Sequence, residues 1–582
     1  MWIKDVLERC LLMIEQIPVY LKPYIAKQDP SLYTAMDHAT WRYILKVSQD
    51  FLAKHTQHKY LDGLRETGVM TERIPLISEM DQCLRKFGWQ AVPVVGFIPS
   101  EVFMEFLSLG VLPIACDMRT LDHIAYTPAP DIVHEAAGHA PIIIDSEYRD
   151  YLKSYGEVAR KAIFSSEDFA VYQAIRTLSD LKEDAHASLE TVKTAEENLD
   201  IAIRAQSYVS EATFLSRMGW WTFEYGLIGS VEKPKIYDAG LLSSLGESFH
   251  CFDPQVKKIP FSTDCIQMSY DITRPQPQLY VARSFQELKI ALRDLADAMA
   301  FRKGGVESLQ KALKARTVTT TELDSGLQIS GVLTDFKLDS TGKPFYIRFG
   351  GPTQISYQNK EIEGQGADYH REGFSTPLST VTETQVKDLG LRTGRMSQLK
   401  LESGVVVEGK LDRVIRKNNH VSVLTFTECT VTCQGETLFR PEWGNFDLVS
   451  GKEVVSVFGG AADRKKYLEV TGGYHQEPAR PKTNLTPENS ELNELYARVR
   501  EIREGTEKST HSPQIIAELV NLHDCLEKRY PDDWLLRFEL LELGITGMLK
   551  LPFEHKIRKR LFEISQASKE KSEIIQRGLG LL

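Results

Sequence analysis

The segment from Tyr126 to Pro141, YTPAPDIVHEAAGHAP, contains the side chains of this chain that are best suited to hold a metal ion. Its two histidines, His134 and His139, stand five positions apart, whereas the zinc-protease pattern H-E-x-x-H places them four apart. Each residue turns a regular α-helix by about 100°, so residues five apart point to different sides. Joint metal binding therefore requires a π-type turn, or a helix that ends or bends at Gly138. By itself, such a pair more often belongs to packed or surface histidines.

A carboxylate that can complete a metal site lies much further along the chain, in RMGWWTFEYGL at 217–227. Glu224 stands there among four aromatic residues, and a carboxylate buried in such surroundings needs a proton or a cation. Two histidines and one carboxylate with open positions form the metal face of non-haem Fe(II) oxygenases. A hydrogen-bonded structural Glu224 is the alternative. Asp131, which follows the prolines of TPAPD, is expected to cap a helix or to orient a ligand histidine.

The elements that must position these residues are predicted to be mainly helical over residues 1–312. Apolar runs at 92–99 and 110–119 are too short and too rich in proline for long helices. A polar block at about 157–212 is rich in Ala and Glu and nearly free of Gly and Pro. It predicts a helical insertion, a hairpin that projects from the main body at the surface.

The composition changes near residue 316. From 316 to 472 the chain is rich in Thr, Val and Gly, which predicts a separate β-rich domain of unknown role; within it, 405–433 is typical of two strands joined by an Asn-Asn turn. Residues 473–489 are predicted to form a linker and residues 490–582 a helical C-terminal region. We expect these C-terminal regions to bind a protein or to mediate oligomerisation.

Length and composition narrow the class of protein. The chain has 582 residues, 42% of them apolar, and a formal net charge of -10, which fits two to four globular domains and no nucleic-acid partner. No run of about 18 apolar residues predicts a membrane span. The first 21 residues indicate an amphipathic surface helix and not a signal peptide. The eight cysteines are scattered, Cys429 and Cys433 included, which indicates reduced thiols and a cytoplasmic location.

Four motifs, in order, resemble those of the pterin-dependent aromatic amino acid hydroxylases. YTPAPDIVHEAAGHAP departs from the family signature only at Ala129, and WWTFEYGL resembles the segment with the third metal ligand. YDAGLLSSLGE at 237–247 and YDITRPQPQLYVARSFQEL at 270–288 resemble two further signatures, and 74–103 follows the family in spacing. The resemblance covers roughly 20–310. It implies a multidomain chain with a mainly α catalytic domain with short strands, followed by the β-rich domain and the α-helical C-terminal region.

The resemblance also implies a role for each matching residue. His134, His139 and Glu224 would hold Fe(II), and Glu135 would face iron and pterin as a catalytic residue. Arg119 would pair with the carboxylate of an amino acid substrate. The other substrate-pocket residues would be Thr127, Trp220, Tyr225, Gly240 and Ser243. The tetrahydropterin, a tetrahydrobiopterin or similar, would be held by Gly96, Phe97, Ile98, Ser100 and Phe103.

The implied enzyme is a monooxygenase of the branch typified by phenylalanine 4-monooxygenase, which uses Fe(II), a tetrahydropterin and O₂ to convert L-phenylalanine to L-tyrosine. Ile272 stands where tyrosine-preferring members tend to carry an acid, which favours phenylalanine and leaves tryptophan or tyrosine as alternatives. Gly219 replaces a tyrosine and Pro113 a histidine of animal members. A zinc metalloprotease, or other zinc metallohydrolase, is disfavoured by the histidine spacing and by Arg119. A binding protein on an inactive hydroxylase scaffold is disfavoured by the three intact ligands.

Overall fold

The computed structural model describes residues 17–57, 60–126, 130–182, 187–272, 275–472, 483–505, 513–547 and 549–582. Most of the predicted N-terminal helix, most of the predicted linker and Thr127 lie outside these ranges. Within them, no helix combines the length and the apolar character that a membrane crossing needs.

The first half of the chain is mainly helical, in agreement with the prediction. Its longest helix, α1 (Ala35–His55), begins at a capping box in which Thr34 and Asp37 satisfy each other's backbone N–H groups, and most of its residues are buried. The later helices of this half are α2 (Tyr60–Glu66), α3 (Ile77–Leu84), α4 (Ser100–Ser108), α5 (Ala140–Ile142), α6 (Ser146–Ala159), α7 (Ser166–Lys182), α8 (Leu189–Arg204), α9 (Glu211–Gly219), α10 (Ala239–Ser243), α11 (Leu245–His250), α12 (Phe285–Asp297), α13 (Ala300–Lys303) and α14 (Gly305–Ala315). Two π-helical turns, His134–His139 and Trp220–Glu224, interrupt this series.

Short strands form two small sheets in the same half. The two apolar runs are the parallel pair β1 (Gln90–Val94) and β2 (Val111–Ala115). Because the strands are parallel, the loops that leave their carboxyl ends lie side by side. A second sheet has the strand order β4-β3-β6-β5. Its strands are β3 (Gly226–Ser230), β4 (Lys233–Ile236), β5 (Lys257–Pro260) and β6 (Gln278–Ala282).

The insertion contains the predicted helical hairpin, since α7 and α8 pack against each other and Lys182 pairs with Glu196 at 3.0 Å. Its placement on the surface was only partly right. Tyr172 of α7 is buried, and its hydroxyl donates to the carbonyl of Phe97 at 3.0 Å. The first helix of the insertion is therefore docked on the loop after β1.

The region from 318 to 471 consists mainly of strands in two antiparallel sheets. One has the order β10-β9-β8-β7-β17 with β11 on β9, and the other has β12-β13-β14-β15 with β16 on β14. The predicted Asn-Asn turn joins β13 and β14, and both Asn418 and Asn419 have positive φ, as a type I′ turn requires. The elements are β7 (Val318–Leu323), β8 (Leu327–Leu338), β9 (Pro344–Tyr357), β10 (Lys360–Glu361), β11 (Gly373–Pro377), α15 (Glu383–Leu389), β12 (Ser397–Lys400), β13 (Val405–Lys417), β14 (His420–Cys433), β15 (Glu436–Phe439), β16 (Phe446–Val449), β17 (Val454–Gly459) and α16 (Arg464–Thr471).

The C-terminal helices share a hydrophobic core with the first half of the chain. The ring of Tyr43 on α1 lies 4.9 Å from Trp534 and 4.8 Å from Phe538, edge to face. Arg42, also on α1, pairs with Glu539 at 2.8 Å and with Glu542. This region therefore packs directly on α1. Its helices are α17 (Ser490–Gly505), α18 (Pro513–Arg529), α19 (Leu535–Thr546), α20 (Glu554–Ser565) and α21 (Lys569–Leu579).

Candidate metal centre and substrate pocket

The five-residue spacing of His134 and His139 is explained by the π-helical turn on which they lie. At its end, the N–H of Ala140 donates to the carbonyl of Glu135, five residues earlier. A π turn contains one more residue than an α turn, so residues five apart share a face. The two imidazole centroids are 5.2 Å apart. Of the two geometries that the sequence left open, the π turn is the one found.

Gly138 serves packing and not a bend of the helix. A Cβ at this position would lie 2.7 Å from the carbonyl oxygen of Ala239 and 2.9 Å from its Cα. Real Cβ atoms do not approach backbone that closely, so only glycine lets α10 lie against the histidine turn.

Glu224 lies at the end of the second π turn, where the N–H of Tyr225 donates to the carbonyl of Trp220 at 2.7 Å. The carboxylate of Glu224 spans both histidines: Oε2 is 3.2 Å from Nε2 of His134, and Oε1 is 3.3 Å from Nε2 of His139. One ligand atom from each residue falls within 4.8 Å of the other two. The structure thus brings together the three residues that the sequence proposed as one metal site.

Second hydrogen-bond partners orient both imidazole rings. Nδ1 of His134 is 3.2 Å from the hydroxyl of Ser243, and Nδ1 of His139 is 3.3 Å from the hydroxyl of Tyr148. The Ser243 hydroxyl already donates its proton to the carbonyl of Ala239 at 2.7 Å, so it accepts from Nδ1–H of His134. With Nδ1 protonated, Nε2 of His134, which faces Glu224, is the nitrogen that can bind a metal once it has lost its own proton.

Burial and mutual charge shift the pKa values of these ligands in opposite directions. Burial alone would lower the pKa of His134, but the hydrogen bond and charge of Glu224 outweigh it and raise the pKa to about 9. Burial alone would raise the pKa of Glu224, but His139 and His134 lower it to about 2. Without metal the cluster therefore holds a proton between carboxylate and imidazole. A divalent cation can take the place of that proton, and the two-nitrogen, one-oxygen donor set suits Fe(II).

Glu135 lies beside this cluster. Its Oε2 is 3.9 Å from Nε2 of His139 and, within the described ranges, is a buried oxygen without a hydrogen-bond partner. Burial raises the pKa of this carboxyl group. A buried carboxyl oxygen without a partner is rare in folded proteins, and this one lies beside the predicted ligand His139.

Arg119 is buried and held by Asp131 and Ser243. Its Nε and Nη2 donate to the two carboxylate oxygens of Asp131 at 2.7 and 2.8 Å, and Nη1 donates to the carbonyl of Ser243 at 3.1 Å. Asp131 also accepts from the backbone N–H of His134 at 3.0 Å, so it caps the histidine turn and acts on the ligand through its backbone. These contacts use three of the five guanidinium N–H groups and leave one N–H on Nη1 and one on Nη2.

A stack of three aromatic rings extends from the second π turn. The indole of Trp220 is stacked on Tyr225, at 4.6 Å, and on Tyr270, at 4.3 Å with an interplanar angle of 7°. Gly219 precedes this stack, and a Cβ there would be 2.7 Å from the hydroxyl of Tyr155. Tyr155 therefore occupies the space that a side chain at position 219 would need. Gly240 makes a similar close contact, since its Cβ would lie 2.5 Å from the carbonyl oxygen of Glu224.

The five residues predicted to hold a pterin lie in the loop after β1 and at the start of α4. Gly96 has a φ of 62°, and its N–H donates to the carboxylate of Asp117 at 3.0 Å. The carbonyl of Asp117 accepts from the N–H of Ile132 at 2.8 Å, two residues before His134. The loop and the metal turn are thus joined through Asp117. The five residues are Gly96, Phe97 and Ile98, which are half-buried, exposed Ser100 and half-buried Phe103.

Three residues of this region were missed from the sequence. Tyr148 supports His139 from α6, Tyr270 completes the aromatic stack, and Tyr172 contacts the loop that carries Phe97. Tyr148 does lie on the buried face of an amphipathic helix, but that pattern predicts core packing and not an imidazole partner.

Known proteins are similar to this chain over the same part of its sequence. The sequence model of the family described as biopterin-dependent aromatic amino acid hydroxylase matches residues 25–168 and 201–324. The phenylalanine-4-hydroxylase of Ralstonia nicotianae is 29% identical over 277 residues, which are 47% of this chain and 74% of that protein. The phenylalanine-4-hydroxylase of Chromobacterium violaceum is 27% identical over 286 residues, 47% of this chain and 81% of that protein. Its crystal structure with iron(III) and 7,8-dihydrobiopterin is 27% identical, with a TM-score of 0.36, and covers 48% of this chain and 88% of that one.

Proposed function

We propose that this chain, whose N-terminal half belongs to the biopterin-dependent aromatic amino acid hydroxylases, is a monooxygenase that converts L-phenylalanine to L-tyrosine with Fe(II), a tetrahydropterin and O₂. The observation that carries the proposal is the three-residue face of His134, His139 and Glu224, built on two π turns. This donor set leaves positions free on one side, as an oxygen-activating iron requires.

The iron would be held by Nε2 of both histidines and by the carboxylate of Glu224. Iron and tetrahydropterin, when bound, would supply the activation of O₂ that ring hydroxylation needs. The protein would contribute position and exclusion of water. His139, Glu135 and Arg119 are all at most 5% exposed, which strengthens the charge interactions on the closed side of the site, while His134 and Glu224, at 16% and 19%, lie on its open side.

The amino acid would bind between the arginine and the aromatic stack. The remaining N–H groups on Nη1 and Nη2 of Arg119 would donate to its carboxylate, while Asp131 keeps the guanidinium in place. Trp220 and Tyr225 would form walls along the ring of the substrate, and Ser243 and Gly240 would act by supporting the metal ligands. The names of the relatives favour phenylalanine, with tryptophan and tyrosine as the substrates to compare.

The pterin would lie at the loop of Gly96, Phe97 and Ile98 and at the start of α4, with Phe103 stacked on it and Glu135 on the side of the iron. Supporting this placement, the loop is joined through Asp117 to the turn that carries His134. Residues 316–472 remain a proposed β-rich domain and 490–582 a proposed helical region, for which we propose roles in protein binding or assembly. A cytoplasmic location is proposed from the seven free cysteines among the described residues.

The decisive experiment is aerobic turnover of phenylalanine, tyrosine and tryptophan with Fe(II) and a tetrahydropterin. Wild type is compared with His134→Ala and Glu224→Ala, and with His250→Ala as a control, because His250 lies on the surface beside Asp253. We expect tyrosine to form from phenylalanine, with loss of activity and of bound iron in the two ligand variants only.

Absence of product from all three amino acids would refute the proposal. Equal activity of Glu224→Ala would refute the ligand assignment alone. Stoichiometric zinc together with peptide cleavage would favour the metallohydrolase.

A further inference from the structure

The loop and helix assigned to the pterin are contacted by two parts of the chain that the family match does not include. The match omits residues 169–200 and everything after 324. The first omitted part contains α7, with Tyr172, and the second contains α16, with Arg464. Both contact the segment from Gly96 to Ser108, which we call the pterin segment.

Tyr172 fixes the loop of the pterin segment from the insertion. Its hydroxyl donates to the carbonyl of Phe97 at 3.0 Å, and its ring lies 6.4 Å from that of Phe97. The N–H of Gly96 is held on the other side by Asp117. The peptide groups before Gly96 and after Phe97 are therefore both fixed, one by the core of the first half and one by the insertion.

Arg464 fixes the helix of the pterin segment from the β-rich region. It pairs with Glu105 on α4, a carboxylate that is only 2% exposed and also accepts from the hydroxyl of Tyr20 at 3.0 Å. Arg464 further donates to the carbonyl of Arg160 at 2.8 Å. Nε of Arg160 also lies 3.3 Å from Oε2 of Glu105, so this carboxylate has two arginine neighbours. A buried carboxylate held by such partners has a defined position, and loss of one partner is costly.

Phe103 and Glu105 lie on opposite sides of α4, because two residues turn an α-helix by about 200°. The β-rich region therefore holds the back of the helix whose front carries Phe103, while the insertion holds the loop that leads into it. A displacement of either support moves the loop or the helix without touching the three metal ligands or Arg119.

We infer that the insertion and the β-rich region hold the pterin segment in its binding geometry, with Tyr172 and Arg464 as positioning residues for the cofactor. This inference rests on the proposed function. It gives the two additional parts of the chain a shared role in pterin affinity, beyond the chemistry that the metal centre performs.

The test measures pterin binding and catalysis separately. Tyr172→Phe keeps the ring and removes only the hydroxyl; its control is Tyr208→Phe in the same part of the chain, where Tyr208 contacts Lys314. Arg464→Met removes the charge and Arg464→Lys restores it; the control is Arg416→Lys, whose exposed partner is Glu383. The readouts are KM for tetrahydropterin, KM for phenylalanine and, in metal-free protein without O₂, the Kd for tetrahydropterin from quenching of tryptophan fluorescence.

We expect Tyr172→Phe to raise KM and Kd for the pterin about fivefold, the usual effect of one lost buried hydrogen bond, with KM for phenylalanine within about twofold of wild type. We expect Arg464→Met to raise KM and Kd for the pterin by more than Tyr172→Phe does, and Arg464→Lys to raise them by less than Arg464→Met. If Tyr172→Phe or Arg464→Met binds pterin like its control, the inference is wrong while the proposed function stands. If the wild-type protein neither binds the pterin nor hydroxylates phenylalanine, both the inference and the proposed function are wrong.

Discussion

Replacement of Ser243 by alanine tests how the metal centre is tuned, because it removes a hydrogen bond to a ligand and leaves all three ligands in place. The Ser243 hydroxyl accepts from Nδ1–H of His134 and donates to the carbonyl of Ala239. Alanine cannot accept, so Nδ1–H would lose its partner in a buried site and the ring would no longer be held in the tautomer that offers Nε2 to a metal. The backbone carbonyl that accepts from Arg119 is unchanged.

Changes in hydrogen-bond partners of ligand histidines typically reduce metal affinity by about 10- to 100-fold. Because the Ser243 contact is single and, at 3.2 Å, of ordinary length, we expect the lower part of this range, about 10- to 30-fold. The affinity for Fe(II) is measured by competition with a chromogenic chelator under anaerobic conditions. At saturating iron we expect kcat to recover most of its wild-type value.

The control is Ser248→Ala on the neighbouring helix α11. Ser248 is 1% exposed, as buried as Ser243, and its hydroxyl oxygen has no hydrogen-bond partner within the described ranges. Its loss should leave iron affinity unchanged. Equal iron affinity of Ser243→Ala and wild type would refute the view that this hydroxyl sets the tautomer of His134.

Three further perturbations follow from the same geometry. Arg119→Lys introduces an ammonium group, which cannot pair side-on with Asp131 and still offer two parallel N–H groups. In steady-state assays this change should raise KM for phenylalanine at least about tenfold and leave KM for the pterin within about twofold. Gly138→Ala would force α10 away from the histidine turn. It should lower the free energy of unfolding by about 1–3 kcal/mol in urea titrations and reduce the amount of bound iron. The control is Gly246→Ala, whose Cβ would meet its nearest neighbour at 3.4 Å and which should change neither quantity. In metal-free protein, the ion pair of His134 and Glu224 stabilises the fold fully between the ordinary pKa values of the two groups, 4.5 and 6.5, and is lost as pH rises through about 9, the raised pKa of His134. Between pH 6.5 and about 9 the free energy of unfolding should fall by up to about 3 kcal/mol in wild type and not in His134→Gln.

The three candidate metal ligands could be chosen from the sequence, whereas the residues that orient them could not. The ligand set follows from residue types and family motifs, and the π turn was one of two geometries that a spacing of five allows. The orienting partners were not predictable in the same way, because Tyr148 lies nine positions after His139 on a helix whose pattern indicates only burial. Which buried tyrosine meets which imidazole depends on how helices cross, and local sequence does not encode that crossing.

For the regions outside the family motifs too, the local structure could be predicted from the sequence and the long-range contacts could not. The helical character of 490–582 and the β-rich character of 316–472 follow from periodicity and composition. Their contacts do not: Arg42 meets Glu539 across 497 positions, and Arg464 meets Glu105 across 359. A polar helix such as α7 is typical of a solvated surface, yet four of its residues are buried, and one of them, Tyr172, contacts the loop after β1.

Helix α6 connects the two halves of the proposed reaction site. Near its first turn, Tyr148 contacts His139 of the metal centre. Near its last turn, Gly156 lies against α4, where a Cβ would be 2.6 Å from the backbone nitrogen of Ser108. A helix is stiff along its axis, so these two contacts fix the distance between the metal turn and the helix that carries Phe103. In the proposed reaction, iron and pterin must both reach the same O₂ molecule, so their sites must keep a constant separation. Helix α6, with a hydrogen bond at one end and a glycine contact at the other, is a rigid spacer that can hold this separation. The contacts from the insertion and the β-rich region then set the orientation of the pterin segment.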